Sequence, residues 1–412
     1  MRPVLPSLTT TISLPISYFL FLTALLISIV KASPPVGTLH YREHFYVGAH
    51  YVSQPDASAS ADVPLLADGQ IYVEHLTPAS GASKEHPLLF VHGAGMTATN
   101  FLNTPDGRMG WADWFLGQGY EVYLVDQAAR GRSPWLQQVD GPQTSFSTQT
   151  VESLFTAPER FALWPNASLH TQWPGVNGSV GDPIFDSFFA SMVPLLSTDV
   201  ESGMKNQDAL VALLDRIGAV HLLTHSQAGL FGWSLADARP HLIKSLTALE
   251  PGGPPFSGDV LSPTVPSRSW GLTDIPLNYD PPLPNNSPDA LNKDKIVTND
   301  PARDGYTCYA QSPPARTLPS LKNIPIVVVT SETSWHGVSD GCIVEYLKGV
   351  GAERVQFVRL QDHGFHGNGH MFFMEKNSLE IVASVVGPWI ADVDRERTAR
   401  RERLVVAKVD DP

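Results

Sequence analysis

Ser226 has the sequence surroundings of a serine that attacks a substrate. It follows the apolar run 220–224 and precedes a helical stretch at 227–236. A serine hydroxyl is a weak nucleophile that must be turned away from the backbone and given a base, and a sharp strand-to-helix turn does the turning. Such a turn needs small neighbours two residues away, usually glycine, and Thr224 and Ala228 stand there. The pattern G-x-S-x-G is therefore matched only in relaxed form, and a serine that merely caps the helix is the alternative.

An attacked carbonyl develops negative charge on its oxygen, and this charge needs N–H donors that are already in place. The turn supplies one donor from Gln227 at the start of the helix. The segment 92–95, His-Gly-Ala-Gly, directly follows the apolar run 87–91. Its backbone can approach a substrate closely, so we expect the Ala94 N–H to be the second donor. A plain glycine turn is the alternative for this loop.

A general base is expected late in the chain. Residues 362–370 offer His363, His366 and His370 between the last expected strand and the last expected helix, where a histidine can reach a serine across the carboxyl edge of a sheet. We select His370, because it follows a glycine-rich loop and precedes the apolar run 371–374 that would anchor it. No partner set with zinc-site spacing accompanies the three histidines, so no metal is expected.

The acid that orients the base should stand at the end of a strand. Glu250 ends the run 245–249, directly after the helix that follows Ser226. Glu332 follows the next apolar run, with Asp340 further along. Spacing alone leaves the choice between Glu250 and Glu332 open.

The elements that would position these residues alternate between short strands and helices. Wholly apolar runs such as 87–91 are typical of parallel strands buried on both faces, and their alternation with helices indicates βαβ units. A hairpin region from Tyr41 to Leu76 precedes them. Further strands are expected at 121–125, 220–224, 245–249, 324–330 and 355–360, and helices at 111–118, 207–217, 227–236, 338–350 and 377–390.

This alternation of strands and helices is interrupted twice, at about 136–202 and at about 251–319, where proline and glycine are frequent. We expect both segments to be cap insertions that cover the carboxyl edge of the sheet. Aromatic residues in the first segment either line an apolar substrate pocket or pack the cap onto the sheet. They are Trp164, Trp173, Phe185, Phe188 and Phe189.

The composition is that of a folded protein, with 42% hydrophobic and 17% charged residues among 412. The formal net charge of −13 argues against a nucleic-acid partner, which would need a basic surface. Residues 1–32 have the apolar stretch and small-residue site of a signal peptide cleaved near Ala32, with an uncleaved membrane anchor as the alternative. Residues 33–412 would then form a secreted domain without a stable membrane anchor.

Two further features agree with an oxidising, extracellular location. Cys308 and Cys342 are the only cysteines, and an even pair predicts one disulfide. Three N-glycosylation sequons begin at Asn166, Asn177 and Asn285.

The order of these residues resembles the α/β-hydrolase superfamily over nearly the whole mature chain. The resemblance lies in His92-Gly93-Ala94-Gly95, in Asp126 with Arg130-Gly131-Arg132-Ser133, in Ser226 and its turn, and in the late histidine. More narrowly, the chain is similar to a small branch of secreted esterases with the nucleophile motif S-Q-S-G or close to it. The matching segments are Thr224-His225-Ser226-Gln227-Ala228-Gly229, Leu249-Glu250-Pro251-Gly252 and Gly369-His370-Met371, then Glu375-Lys376-Asn377-Ser378.

The resemblance implies an α/β-hydrolase fold, with a mostly parallel central sheet flanked by helices and with cap insertions. In the branch, a glutamate after the strand that follows the nucleophile is the acid. The resemblance therefore implies a triad of Ser226, His370 and Glu250, and it favours Glu250 over Glu332.

The chain departs from this branch at two places. Ala228 stands where the branch has a serine, a change between small residues. The oxyanion loop of the branch can carry two adjacent cysteines, and Ala94 and Gly95 stand there instead. Any special role of that cysteine pair is therefore absent.

We expect a secreted serine esterase that hydrolyses small-molecule carboxylic esters through an acyl-enzyme on Ser226, without a cofactor. A lactonase with the same triad is one alternative. A non-catalytic secreted binding protein of hydrolase fold is another, although an intact nucleophile, base and acid weigh against it.

Overall fold

Eight strands form the central sheet in the computed structural model, which describes residues 37–55, 63–258, 267–297 and 306–396. They are β1 (His40–Val47), β2 (Ile71–Pro78), β3 (Leu88–Val91), β4 (Val122–Asp126), β5 (Val220–His225), β6 (Ile243–Leu249), β7 (Ile326–Thr330) and β8 (Val355–Arg359). The chain divides into two units, residues 1–37 and 38–412, and these strands belong to the second. The expected signal peptide at 1–32 lies outside the described residues.

The strand order is β1-β2-β4-β3-β5-β6-β7-β8. β2 is antiparallel to its neighbours β1 and β4, and the remaining neighbours pair in parallel. The expected mostly parallel sheet is therefore confirmed. β5 lies between β3 and β6, so the residues that follow these three strands emerge close together at one edge.

Helices flank the sheet. They are α1 (Trp111–Gly117), α2 (Thr148–Val151), α3 (Pro183–Ala190), α4 (Asp199–Ile217), α5 (Ala228–Ala238), α6 (His336–Gly349) and α7 (Ser378–Ile381). Two π-helical turns follow α2 and α7, at Glu152–Thr156 and Val382–Val386. Single 3-10 turns occur at Ala98–Phe101, Pro158–Arg160, Pro165–Leu169, Pro240–Leu242, Pro284–Asn286, Pro288–Ala290, Pro319–Leu321 and Leu360–His363. No helix in the described ranges is both long and apolar enough to cross a lipid bilayer.

Two hydrophobic cores cover the two faces of the sheet. Side chains alternate between the faces of a strand, so Leu222 joins one core and Leu223 the other. The first core also takes apolar residues of α4, α5 and α6, and the second takes residues of α1 and of the C-terminal helical segment. A strand buried on both faces must be apolar throughout, which explains the uninterrupted apolar runs of the sequence.

Helix α4 begins at Asp199, whereas the sequence pattern predicted a start at residue 207. The first two turns bury Ser202, Gly203 and Asn206, while their apolar residues Val200 and Met204 are exposed, so the apolar periodicity of the buried face starts only further along the helix. Thr198 caps the helix instead, its hydroxyl accepting the Glu201 N–H.

The two irregular segments contain short elements of their own. Within 136–202, Gln143–Thr144 pairs with Leu195–Leu196, and within 251–319, Lys293–Val297 pairs with Thr307–Gln311. A further pair, His50–Ser53 with Leu65–Asp68, lies in the N-terminal region. A disulfide joins Cys308 to Cys342 of α6, as the even cysteine count predicted.

Candidate active site

Ser226 occupies a strained turn between β5 and α5. Its φ of +54° lies in the left-handed region, which non-glycine residues seldom adopt. The Ser226 N–H donates to the Leu249 carbonyl oxygen at 3.0 Å, and the Ser226 carbonyl oxygen accepts from the N–H groups of Gly229 and Gly252, both at 2.8 Å. These bonds attach both sides of the turn to the end of β6 and its following loop.

Two glycines make room for this turn. A Cβ on Gly93 would lie 2.9 Å from the Ser226 Cβ, and a Cβ on Gly229 would lie 2.3 Å from the Pro251 Cβ. Both distances are shorter than real contacts allow. In this turn the position that has no room for a Cβ is Gly229, three residues after the serine, rather than the usual position two residues after it. Ala228, at that usual position, is therefore accommodated.

His370 and Glu250 form a buried pair beside this turn. Their side chains are fully removed from solvent, and the His370 Nδ1 lies 2.6 Å from the Glu250 Oε2. The other carboxylate oxygen of Glu250 accepts the Ser331 N–H at 2.8 Å and the Ser331 hydroxyl at 2.6 Å. An ionised Glu250 therefore accepts the proton on Nδ1, which leaves Nε2 as the basic nitrogen of a neutral imidazole.

The environment of His370 favours that neutral form. Burial lowers the pKa of His370 well below its ordinary value, and the nearby His336 lowers it further. The ring stacks on Phe155 at 5.4 Å and on His336 at 5.0 Å between ring centroids. Within the described part of the chain, Nε2 has no hydrogen-bond partner. The ring therefore carries a buried basic nitrogen that is free to accept a proton.

Ser226 opens onto a cavity of about 370 Å³ that Ala94 and Gln227 also line. No hydrogen bond among the described residues uses the backbone N–H of Ala94 or of Gln227. Gln227 has helical dihedrals and directly precedes α5, so its N–H belongs to the electropositive end of that helix. The two expected oxyanion donors and the expected nucleophile therefore border one space.

Comparison with known proteins places this geometry in a family, although no protein-family model matches the chain. The chain is 47% identical over 321 residues to the "Probable secreted lipase phiG" of a fungal species, across 78% of this chain and 85% of that protein. It belongs to the α/β-hydrolase-fold esterase and lipase superfamily. The atomic-resolution structure of a novel bacterial esterase has the same fold, with a TM-score of 0.58 and 21% identity over 89% of this chain and 100% of that one.

In this α/β-hydrolase, the alternative acid Glu332 bonds to the loop before His370 and not to His370 itself. Its carboxylate accepts the Gly367 N–H at 2.8 Å and lies 3.1 Å from the His366 Nδ1. His366 and His363 are both exposed. Of the three late histidines and the two acids, the structure joins His370 to Glu250 and His366 to Glu332.

The sequence analysis missed a second buried pair of a histidine and a carboxylate. The His336 Nδ1 lies 2.8 Å from the Asp340 Oδ1, one helical turn along α6, and His336 lines the cavity beside Ser226. The spacing of four residues was the available signal. Ligand atoms of Glu250, His336 and His370 lie within 4.8 Å of one another, the closest approach to a metal-type cluster in the described ranges. Glu250 and His370 bond to each other and His336 bonds to Asp340, and the absence of a metal remains a prediction.

His225 also supports His370. Burial lowers the pKa of His225 well below its ordinary value, so its ring is neutral and carries one proton. Its Nε2 lies 3.2 Å from the His370 carbonyl oxygen and can donate to it, and the two rings are 4.5 Å apart. The residue before the expected nucleophile therefore positions the expected base.

The irregular segment 136–202 contacts the loop that follows β7 and the loop that carries His370. The Trp164 Nε1–H donates to the Thr333 carbonyl oxygen at 2.7 Å, and the Thr171 N–H donates to the Gly367 carbonyl oxygen at 3.0 Å. None of the five aromatic residues considered above lines the cavity at Ser226, and four of them are buried in packing contacts. The sequon residues Asn166, Asn177 and Asn285 are all exposed.

His170 is the most buried of these cap contacts. Its ring nitrogens lie 2.9 Å from a Glu159 oxygen and 2.8 Å from a Glu375 oxygen. Glu375 also accepts the N–H of Gly369, the residue before His370, at 3.1 Å. Burial alone would lower the pKa of His170, but the two carboxylates outweigh it and raise the pKa to about 9. A protonated histidine of the irregular segment 136–202 thus bonds to the segment that bears His370.

Proposed function

We propose that this α/β-hydrolase is a secreted carboxylic ester hydrolase that acts through an acyl-enzyme on Ser226. The observation that carries the proposal is the buried contact of 2.6 Å between His370 and Glu250, with the unpartnered Nε2 of His370 beside the strained Ser226 turn. A structural serine needs neither the strain nor a buried base. The curated relative is named a probable secreted lipase, which agrees with this chemistry.

In the proposed reaction, the Ser226 hydroxyl attacks the ester carbonyl while the His370 Nε2 accepts its proton. Glu250 keeps the imidazole oriented and stabilises the imidazolium that forms. The Ala94 and Gln227 N–H groups bind the oxyanion. His370 then gives its proton to the leaving alcohol, and water repeats the sequence on the acyl-enzyme to release the acid. These steps need no cofactor.

The cavity favours small esters as substrates. Its volume of about 370 Å³ lies near the lower end of ligand pockets and equals roughly 12 water volumes. Asp199, Arg268 and His336 contribute polar or charged groups to its walls. We therefore propose short-chain esters with polar substituents as substrates, ahead of long-chain lipids.

Three features support the proposal of secretion. Residues 1–32 have the pattern of a signal peptide, a disulfide such as that between Cys308 and Cys342 is typical of oxidising compartments, and the relative is named as secreted. The exposed sequon asparagines are accessible to a glycosylating enzyme. We propose that residues 33–412 form the mature domain, with 136–202 and 251–319 as its cap insertions.

The test uses the secreted protein and p-nitrophenyl acetate, butyrate, octanoate and laurate, with two simple lactones beside them. We expect turnover that falls with chain length and is lost in Ser226→Ala. Ser234→Ala is the matched control, since the Ser234 hydroxyl is buried in α5 and, among the described residues, donates to the Phe231 carbonyl oxygen alone. Mass spectrometry after treatment with a fluorophosphonate should place the label on Ser226.

Three results would contradict the proposal in different ways. Turnover that survives in Ser226→Ala would refute the nucleophile. Hydrolysis of lactones without hydrolysis of open esters would indicate the lactonase alternative. An unlabelled native protein that is inactive on every substrate would favour the binding-protein alternative.

A further inference from the structure

Arg130 is a buried cation that the proposed reaction steps do not use. Only 2% of the residue is exposed, and no carboxylate in the described part of the chain lies within ion-pair distance of it, although the charge of Asp126 acts on it from further away and opposes part of the effect of burial. Asp126, four residues earlier, accepts hydrogen bonds from the Ala98 N–H and from Arg132 instead. Burial lowers the pKa of Arg130 to about 9, so the guanidinium is still protonated at neutral pH. An unpaired buried charge is unfavourable unless something nearby makes use of it.

The guanidinium contacts both arms of the expected oxyanion site, which are the Gly93–Ala94 segment and the turn at Gln227. Its Nη1 donates to the Gly93 carbonyl oxygen and its Nη2 donates to the Gln227 Oε1, each at 3.1 Å. Gly93 and Gln227 lie far apart in the sequence, and Arg130 joins the loops that contain them. No other side chain in the described residues has a recorded bond to both.

The bond to Gly93 determines where the Ala94 N–H points. In a trans peptide the carbonyl oxygen and the following N–H point to opposite sides. Holding the Gly93 oxygen on the Arg130 side therefore turns the Ala94 N–H away from Arg130, and Ala94 borders the cavity. His92 reinforces this orientation, since its Nδ1 lies 2.8 Å from the same oxygen.

The tautomer of His92 fits that role. Burial, and then the charge of Arg130, lower the pKa of His92 to about 3, so the ring is neutral and carries one proton. The His92 Nε2 accepts the Gln127 N–H at 3.1 Å, which leaves the proton on Nδ1 for the Gly93 oxygen. Two donors on one carbonyl oxygen hold the Gly93–Ala94 peptide in one orientation.

We propose that Arg130 is a positioning residue of the oxyanion site, which fixes the Gly93–Ala94 peptide and the Gln227 side chain and sets a positive charge behind the developing oxyanion. This inference rests on the proposed acyl-enzyme reaction at Ser226. A fixed charge in a buried setting stabilises new negative charge without any reorganisation at the moment of reaction. The missing carboxylate is thereby explained, because a permanent partner would neutralise the field that the tetrahedral intermediate uses.

The proposal predicts that Arg130 stabilises the transition state more than it stabilises the bound ester. Loss of a direct oxyanion donor lowers kcat by about 10²- to 10³-fold in a serine hydrolase. Arg130 acts through a peptide group, so we expect kcat to fall by roughly 10- to 100-fold in Arg130→Met, with KM changed less than about threefold. Arg130→Lys keeps the charge but can reach only one arm, and should recover part of the loss.

The decisive measurement compares two inhibitors of equal chain length, a trifluoromethyl ketone and the corresponding methyl ketone. The first adds to Ser226 and forms an oxyanion, whereas the second binds mainly as a neutral carbonyl compound. We expect Arg130→Met to weaken the trifluoromethyl ketone by about the same factor as kcat and to leave the methyl ketone within about threefold. Arg239→Met is the matched control, because Arg239 bonds to the exposed Asp215 and contacts neither arm. It should leave the ratio of the two affinities unchanged.

A second variant keeps the test valid if Arg130→Met does not fold. Gln227→Leu removes the side chain that Arg130 holds and retains the backbone donor, so it should lower kcat by a smaller factor than Arg130→Met. When Gln227→Leu is combined with Arg130→Lys, the loss in kcat should be smaller than the product of the two single losses. A wild-type protein that binds both ketones equally would contradict the proposed function itself. A wild-type protein that prefers the trifluoromethyl ketone, with Arg130 variants that keep the same preference, would overturn the role of Arg130 alone.

Discussion

The contact of His170 with two carboxylates should make the stability of the protein fall at alkaline pH. Burial opposes the charge on His170, but Glu375 and Glu159 raise its pKa to about 9. Glu375 is completely buried and also holds the Gly369 N–H and the Asn368 side chain. Deprotonation of His170 therefore removes a cation from a buried carboxylate that braces the segment before the expected base.

The sign and size of the effect follow from linkage. A histidine in the unfolded chain has a pKa of about 6.5, and a tenfold change in proton affinity corresponds to about 1.4 kcal/mol. The increase to about 9 is thus equivalent to ~3 kcal/mol in the free energy of unfolding. This contribution is complete below about pH 6.5, where both states are protonated. It declines as the pH rises, because the unfolded chain loses its proton first, and it is gone above about pH 9.

Urea unfolding of the wild type and of His170→Gln at a series of pH values between about 6 and 10 measures this contribution. The variant should be less stable by ~3 kcal/mol at about pH 6, and the difference should shrink to less than about 1 kcal/mol by about pH 10. His363→Gln is the control, since His363 is exposed and should change stability by less than about 0.5 kcal/mol. A difference between wild type and His170→Gln that stays constant across the series would refute the reasoning.

Three further predictions concern the reaction. Glu250→Gln should lower kcat by about 10²- to 10⁴-fold and Glu332→Gln by less than about threefold; the reverse order in a steady-state assay would exchange their roles. The acid limb of the kcat/KM profile should lie below about pH 6.5, because burial lowers the pKa of His370, and a limb above pH 7 would contradict a neutral resting imidazole. Gly93→Ala would place a Cβ 2.9 Å from the Ser226 Cβ, so kcat should fall at least about tenfold in folded protein, and an unchanged rate would show that the loop can yield.

Apolar runs and helical spacing were sufficient to predict the parallel sheet and the position of the Ser226 turn. Both depend on local patterns, because a strand buried on two faces has to be apolar along its whole length. Helix α4 shows the limit of this reasoning. In its first turns, from Asp199, the buried face is formed by Ser202, Gly203 and Asn206, so the buried side carries no apolar stripe that periodicity could detect.

The choice of acid could not be made from the residues alone. β6 and β7 are neighbours in register, with Leu249 beside Val329, so Glu250 and Glu332 both emerge at the same edge of the sheet. Which acid meets His370 depends on how the loop before it closes. In the structure this loop places His366, four residues earlier, on Glu332. Such a closure is a tertiary event, and only the resemblance to secreted esterases favoured Glu250 beforehand.

The sheet positions the proposed nucleophile Ser226 and the proposed acid Glu250, whereas side chains position the proposed base His370. The Ser226 N–H bonds to the Leu249 carbonyl oxygen and the Glu250 N–H to the Val329 carbonyl oxygen, both at 3.0 Å, so the parallel ladder continues one residue past each strand. His370 arrives on a loop and has no such ladder.

That loop is held by distant side chains instead. The His225 ring contacts the His370 carbonyl oxygen, and Glu375, with His170 of the cap behind it, holds the adjacent Gly369 N–H. Local sequence patterns thus determine the backbone that positions Ser226 and Glu250. The residues that support His370, in contrast, are as far apart in the sequence as His170 and Glu375. Damage to the proposed cap should for this reason misplace the proposed base before it disturbs Ser226. Fluorophosphonate labelling of Ser226 and ester turnover should accordingly decline together in the wild type as the pH rises through about 9, and should already be low in His170→Gln at about pH 7, while the sheet remains folded.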